Sequence, residues 1–497
     1  MQEPTMSRVL VTLLLLLGAL AVPPAARAAE PFPKPAALEP AIEFWRRVFT
    51  EVDTNGGFIH DARHLGVVYE VVRHPEGRSA RSRARHQERR KDHYRAILRR
   101  LAAGRRTGLS EEERVLALFP DGVSNARLRE AATDVRFQLG QADKFRAGLR
   151  RMGRWEGFIR RTLAERGLPT ELVALPHVES SFNPAARSHV GASGIWQFTR
   201  STGRLFMRVD HVVDERNDPF LASVAAARLL AQNYERLGHW PLAITAYNPG
   251  AAGMARAVRR LGTTDIDVIV DRYRSRTFGF ASRNFYVEFL AAMDIEEAPE
   301  RWFGRVRKDP PENPEILVLD HYYPATSLAR VFGITPQAMR AANPALRDPV
   351  WEGRKHVPKG YPLRVPRDPL RAAPDVVVAS VPAGERFASQ VPDRTHRVRR
   401  GESLSVIASR YGVSQSEIAA LNGLRSRHRI YVGQVLRLPV RGGAARAAAP
   451  PPGGVYRGRR GDPVAALARR VGVGTRELVA ANALRDPDRL SIGQSLR

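Results

Sequence analysis

The chain has 497 residues, 43% of them hydrophobic and 26% charged, which excludes wholesale disorder and, at ~100–200 residues per domain, implies several folded units. Its formal net charge is +28 and it has no cysteine, so disulfides, thiolate metal ligands and lipidation through cysteine are excluded. The thirteen histidines show no HExxH or other close metal spacing, and neither a phosphate loop nor a dinucleotide fingerprint occurs; no metal, nucleotide or other cofactor is expected.

At the N-terminus Arg8 precedes an apolar run from Val9 to Val22 and the small-residue pattern Ala26-Arg27-Ala28. The run is shorter than the ~20 residues that span a bilayer, so residues 1–28 read as a secretory signal peptide. This implies export to the periplasm or cell envelope, with no lipid anchor through cysteine. Export makes nucleic acid a poor partner for the positive charge. Its densest part, Arg73 to Arg106, holds thirteen Lys/Arg against three acids. That segment reads either as a solvated helical face or as a peripheral contact for an anionic membrane or wall surface.

Residues 29–151 are expected to form a basic, mostly helical N-terminal region, with Phe44, Trp45, Val48 and Phe49, then Leu98 and Leu101, at helical intervals. Helical punctuation continues to Leu290, broken at Gly167-Leu168-Pro169 and in HVGASG (189–194). Residues 152–305 therefore read as one all-α domain. In LPTELVALPHVESSF (168–182), Leu172, Leu175 and Phe182 share a stripe, and Glu179 falls on it. A carboxyl there is partly desolvated and holds its proton nearer neutral pH, as a general acid requires. The competing reading is a structural Glu paired with one of the many arginines. His177, two residues earlier, points to another helical face, and no further acid follows Glu179 until Asp210.

Past Asp309 the composition turns to prolines and short apolar runs, with Pro/Ala/Gly-rich stretches at 367–394 and 440–453 that read as linkers. Around them the sequence repeats. Residues 396–424 align with 456–484, matching Gly401 to Gly461, Gly412 to Gly472 and Asn422 to Asn482, and a weaker copy at 327–346 keeps Gly333 and Asn343 in register. Each copy predicts a β-α-α-β unit. An extended start (His396–Val398) leads to a helix with Leu404, Ile407, Ala408 and Tyr411, stopped by Gly412. A capping box from Ser414 to Glu417 opens the second helix, and Val435–Leu438 returns as a strand.

This repeat resembles the LysM domain, which implies binding of N-acetylglucosamine-containing glycan such as peptidoglycan. The resemblance covers 395–439 well, 454–497 as a copy incomplete at its end, and 315–366 as a degenerate module. Upstream, Glu179-Ser180-Ser181-Phe182, then GASGIWQ (191–197) and AYNPG (246–250) resemble, in order and spacing, the motifs of the lytic transglycosylases with a lysozyme-like catalytic domain. The combination with LysM copies is most similar to the membrane-bound D type of that family, without the lipid-anchoring cysteine often found there.

The resemblance implies a multidomain chain, an all-α lysozyme-like catalytic domain followed by small LysM modules, acting on peptidoglycan glycan strands. It implies that Glu179 is the sole acid/base, that Ser188 and Gln197 hold the sugar's polar groups, that Tyr247 and Asn248 line the cleft, and that Tyr286 in RNFYVEF positions the Glu179 carboxyl. Ordinary glycosidases use two carboxylates; here the attacking group would be the substrate's own C6 hydroxyl. A non-catalytic wall-binding scaffold and a muramidase using water are the alternatives.

Overall fold

The computed structural model describes residues 30–104, 110–392, 395–424, 430–439, 456–457 and 495–496. The signal peptide expected over 1–28, the linker expected over 440–453 and most of the last expected module lie outside these residues. The chain divides into two compact units: one runs to Asp210 and resumes over Asp214–Glu312, and the other takes His211–Val213 and the chain from Asn313 onward.

The first unit opens with α1 (Glu39–Thr50), whose Ile42, Phe44, Trp45, Val48 and Phe49 are all buried. A departure from the expected helical N-terminal region follows. Strands β1 (Gly56–Asp61) and β2 (Val68–Arg73), with β3 (Val135–Leu139), form an antiparallel sheet in the order β2-β1-β3. The run VYEVVR is β-branched and aromatic, the composition that suits a half-buried pleated surface. Helices α2 (Ala80–Ala102), α3 (Ser110–Leu116) and α4 (Asn125–Asp134) lie between β2 and β3. Together they enclose a small core of Ile59, Tyr69, Tyr94, Leu98, Leu101 and Leu128. Within the basic segment, Arg90 pairs with Glu70, Arg95 with Asp92 and Arg100 with Glu112.

A run of helices follows: α5 (Ala142–Met152), α6 (Glu156–Ala164), a 3-10 turn (Thr170–Ala174), α7 (Leu175–Ser180), α8 (Arg200–Gly203), α9 (Pro219–Leu237), α10 (Trp240–Thr245), α11 (Ala251–Leu261), α12 (Ile266–Arg272), α13 (Phe280–Glu297) and α14 (Glu300–Phe303). Helix α9 starts where Asp218 accepts from the Phe220 and Leu221 amides at 2.9 and 3.0 Å, and it stops at Gly238 in the left-handed region. Helix α13 is buried on most of its circumference, as a helix with few polar residues until its last turn must be. It packs against α1, α7, α10 and the 3-10 turn. Residue 152 is no boundary of the core. Phe32, Phe44, Phe49 and Phe145 share one apolar cluster with Leu172, Phe182, Trp196 and the buried face of α13.

In the second unit, β4 (Glu315–Val318), α15 (Ala325–Val331), α16 (Pro336–Ala342), α17 (Asp348–Trp351) and β5 (Pro362–Val365) give a β-α-α-β plan with one extra helical turn. β4 pairs antiparallel with β5. Residues 367–392, within the stretch expected as a linker, are not free of structure. They form α18 (Pro374–Val378), bury Val378 and Val381 in the same core, and pair Phe387 with Tyr322 through both backbone bonds. The Val376–Val378 run supplies apolar surface that the proline and alanine content of the stretch concealed.

The next module holds β6 (Thr395–Arg397), α19 (Leu404–Tyr411), α20 (Gln415–Leu421) and β7 (Val435–Arg437), with β6 and β7 paired antiparallel. Gly412 caps α19 at φ 63°, and the Ser414–Glu417 capping box is present. On α20 Ile418 is buried, whereas Leu421 is exposed. Of the last copy, β8 (Tyr456–Arg457) pairs antiparallel with β9 (Ser495–Leu496). In the module of residues 315–366 and in that of residues 395–439 one asparagine clamps the last strand. Asn343 Nδ2 donates to the Arg364 carbonyl at 2.8 Å while its Oδ1 accepts from the Arg364 amide at 2.9 Å, and Asn422 does the same with Arg437 at 2.7 and 2.6 Å. Among the described residues no helix is long and apolar enough to cross a membrane.

Candidate active site

Helix α7 is short, and its end is bent sharply. Among the described residues, Ser181, Phe182 and Gln197 are the three non-glycine residues with positive φ, at 51°, 55° and 45°. All three belong to the stretch around Glu179, and non-glycine residues hold such angles only where neighbours over-determine them. Those neighbours are visible. Arg151 of α5 donates from Nη2 to the Ser181 carbonyl at 2.6 Å and from Nε to the Phe182 carbonyl at 3.3 Å. Ser180 Oγ donates to the Ile195 carbonyl at 2.8 Å, tying the helix end to the GASGIWQ loop.

That loop is braced from below. Arg216, buried against Asp214 with bonds of 2.9 and 2.8 Å, donates from Nη1 to the Gly191 carbonyl at 2.8 Å and to the Phe198 carbonyl at 3.0 Å. Trp196 is buried and donates from Nε1 to Ser223 Oγ on α9 at 2.8 Å. Tyr247 donates to the Trp196 carbonyl at 2.8 Å, and its ring stacks on Phe285 of α13 with centroids 5.7 Å apart at 11°.

Glu179 sits at this junction. Its residue is partly exposed, yet Oε1 is buried with no hydrogen-bond partner. Burial pushes its carboxyl up to about 8, and the Glu288 carboxyl of α13 adds to the rise. The Tyr247 hydroxyl is pushed up by its own burial and by Glu179, which places the two groups within electrostatic reach. Among the described residues no basic group pairs with Glu179 or contributes to its shift. The pairing with an arginine, the structural alternative, is therefore not what the fold provides. His177 is buried between Phe145 and Phe182, with ring centroids 4.4 and 4.7 Å away, and burial drives its imidazole down to about 3, so it is neutral.

The other expected residues divide. Ser188 accepts from the Ala192 amide at 3.0 Å within its own turn. The Gln197 amide donates to the Gly194 and Ala186 carbonyls at 2.8 and 3.2 Å, so it braces the loop. Asn248 is exposed beside Tyr247. Tyr286 is a correction: its hydroxyl donates to the Pro33 carbonyl at 2.8 Å, away from Glu179. Helical geometry explains this, since Tyr286 is turned about 100° from Phe285, which faces Tyr247.

A second carboxyl, that of Glu288 on α13, acts on Glu179 through its field. Arg151, Arg216, Phe285 and Glu288 were not singled out by sequence. For Glu288 a signal existed: it is an isolated acid in the apolar run FYVEFLAA (285–292), the same clue that marks Glu179.

A strained turn thus carries one desolvated acid, braced by a loop and two aromatic rings inside a helical domain. Residues 156–270 match the Transglycosylase SLT domain, and residues 396–439 and 459–497 match the LysM domain. The protein is an enzyme of the lytic transglycosylase class, an SLT domain followed by LysM modules. Over 335 residues, 64% of this chain and 70% of the relative, it is 29% identical to membrane-bound lytic murein transglycosylase D of Escherichia coli strain K12. It is also 36% identical over 90 residues, 18% of this chain and 27% of the relative, to the N-acetylmuramoyl-L-alanine amidase sle1 of Staphylococcus epidermidis. Among solved structures, the lytic transglycosylase Slt of Pseudomonas aeruginosa aligns with 31% of this chain and 25% of its own, at 21% identity and a TM-score of 0.25.

Proposed function

We propose that the protein cleaves the β-1,4 bond between N-acetylmuramic acid and N-acetylglucosamine in peptidoglycan without adding water, leaving 1,6-anhydromuramic ends. The observation that carries this is the Glu179 carboxyl, desolvated and unpaired at Oε1, with its proton held up to about 8. A carboxyl of that kind is a proton donor at neutral pH. Glu179 gives its proton to the bridging glycosidic oxygen as the bond from that oxygen to C1 breaks. The muramic C6 hydroxyl then bonds to C1 through its oxygen and returns its proton to Glu179, restoring the acid. Because the nucleophile belongs to the same sugar, the closure is intramolecular and fast.

Tyr247 and Asn248 line the cleft, and Ser188 and Gln197, through the loop they stabilise, present backbone and side-chain groups to the sugar. The LysM modules hold the enzyme on glycan strands, and the signal peptide directs it to the cell envelope, where peripheral contact through the basic N-terminal region adds attachment.

Glu288 favours one second reading, a muramidase in which a further carboxylate activates water. Against it, burial pushes Glu288 up to about 8 as well, and a neutral carboxyl is a poor base. The test is digestion of purified sacculi followed by mass analysis of the products. Anhydro-muropeptides, absent with Glu179→Gln, support the proposal; products one water heavier from the start of the reaction identify the hydrolase.

A further inference from the structure

Helix α13 carries a buried stripe of Asn284, Phe285, Ala291, Ala292 and Ile295, and Glu288 stands within it, three residues after Phe285 and four before Ala292. Phe285 marks where that stripe meets the site, because its ring lies on Tyr247, whose hydroxyl holds the Trp196 carbonyl. One turn further along on the same stripe stands Glu288, on the helix that packs against α7. Among the described residues Glu288 has neither a hydrogen bond nor an ion pair, in a chain with 79 Lys and Arg. A half-buried acid on an otherwise apolar stripe costs stability when it has no partner, and the field of its carboxyl acts on another acid, Glu179. Tyr286, the side chain expected to hold Glu179, is committed to Pro33, and Phe285 offers no polar atom.

We propose that Glu288 is a positioning residue for Glu179: the two carboxyls, opposed across α7 and α13, behave as one titrating pair that keeps the acid in its proton-donating form. The proposal rests on the reading of Glu179 as the acid. The surroundings leave that pair to itself. Helix α10 carries no charged residue, and the 3-10 turn carries only the exposed Glu171. On α7, His177 is neutral. From α5, Arg151 is taken up by the Ser181 and Phe182 carbonyls, while Asp143, Lys144, Arg146 and Arg150 are exposed. On α1, Arg46 pairs with Glu39, Glu43 and Asp294, and Arg47 with Glu51. Burial raises both carboxyls, and the Glu288 carboxyl raises Glu179 further; by reciprocity of a coupled pair an ionised Glu179 would raise Glu288 in turn.

The decisive measurement is carbon-13 NMR titration of the carboxyls in full-length protein labelled at glutamate, with the alkaline limb of kcat/KM on soluble glycan strands recorded in parallel. Glu288→Gln should lower the Glu179 midpoint, and with it the alkaline limb, by about one pH unit, leaving KM little changed. Glu179→Gln, which keeps the volume, should lower the Glu288 midpoint by a similar amount and tests the pairing if the first variant does not fold. Unmoved midpoints in either variant, or a rise in KM with the limb in place, would overturn the proposal and make Glu288 a structural or sugar-contacting residue. Because the NMR readout needs no turnover, failure of the pairing is distinguishable from failure of Glu179 as the acid, which shows only as activity retained in Glu179→Gln.

Discussion

A Cβ on Gly194 would lie 1.8 Å from the carbonyl oxygen of Arg216, and Gly194 itself has φ 79°. The obstacle is backbone, and that backbone is fixed by the buried pair between Arg216 and Asp214. Gly191, three residues earlier, has φ 81° but open space around its Cβ position. Gly194→Ala should therefore cost on the order of 3 kcal/mol and abolish cleavage, whereas Gly191→Ala should cost about 1 kcal/mol, the conformational term alone. Chemical denaturation of the two variants checks the ratio; equal costs would mean that the loop is free to move away from Arg216.

Stability should fall with rising pH through the same acid that does the chemistry. The folded-state carboxyl of Glu179 is raised from 4.5 to about 8, so between these values the folded protein holds a proton that the unfolded chain has released. Its contribution is fully present below 4.5 and is lost as pH rises through about 8. Glu179→Gln removes the titrating group. The thermal midpoint of this variant relative to wild type should thus grow more favourable from pH 5 to pH 8.5, and a constant difference would refute the shift. Cleavage by wild type should decline over the alkaline end of the same interval.

Tyrosines 247 and 286 make opposite predictions. Tyr247→Phe loses the bond to the Trp196 carbonyl while keeping the ring on Phe285, so it should cost about 1 kcal/mol and lower kcat through the loop. Tyr286→Phe loses only the bond to Pro33. It should cost a similar amount of stability and leave kcat/KM within about twofold, a size typical of effects outside the site. Steady-state kinetics on soluble glycan decides. A large fall in kcat for Tyr286→Phe would restore the hydroxyl to the role expected from sequence.

Legibility followed the length scale of the interactions. Glu179 could be found because its stripe partners, Leu175 and Phe182, lie within one turn of chain. The β-α-α-β module could be found because Gly412, Ser414 and Glu417 are local signals whose geometry the neighbouring residues satisfy. What stayed hidden depends on contacts across the fold. Arg151 reaches carbonyls about thirty residues away, and Glu288 meets Glu179 only because α13 packs on α7. The sheet β2-β1-β3 joins strands separated by three helices, and an abundance of arginine with helical spacing in α2 masked the β-branched runs on either side. The placement of Tyr286 has the same origin: on a helix buried on most of its circumference, neighbouring positions look equally inward until the partner surfaces are known.

The asparagine clamp gives the wall-binding modules a point of attack that spares the chemistry. Asn422 satisfies both backbone groups of Arg437, so Asn422→Ala leaves an edge of the last strand unpaired, at a cost of about 1–3 kcal/mol. A module of this size, with Leu404, Ile407, Ile418, Leu436 and Leu438 as its main apolar core, has little stability to spare. Weak modules joined to a catalytic domain raise its effective concentration on a repeating polymer without touching the reacting atoms. Deleting residues 394–497 should accordingly weaken binding to intact sacculi by at least tenfold while cleavage of short soluble glycans stays within about twofold, and Asn422→Ala should move sedimentation with sacculi in the same direction by a smaller amount. Equal losses on sacculi and on soluble glycan would make the modules part of the catalytic fold.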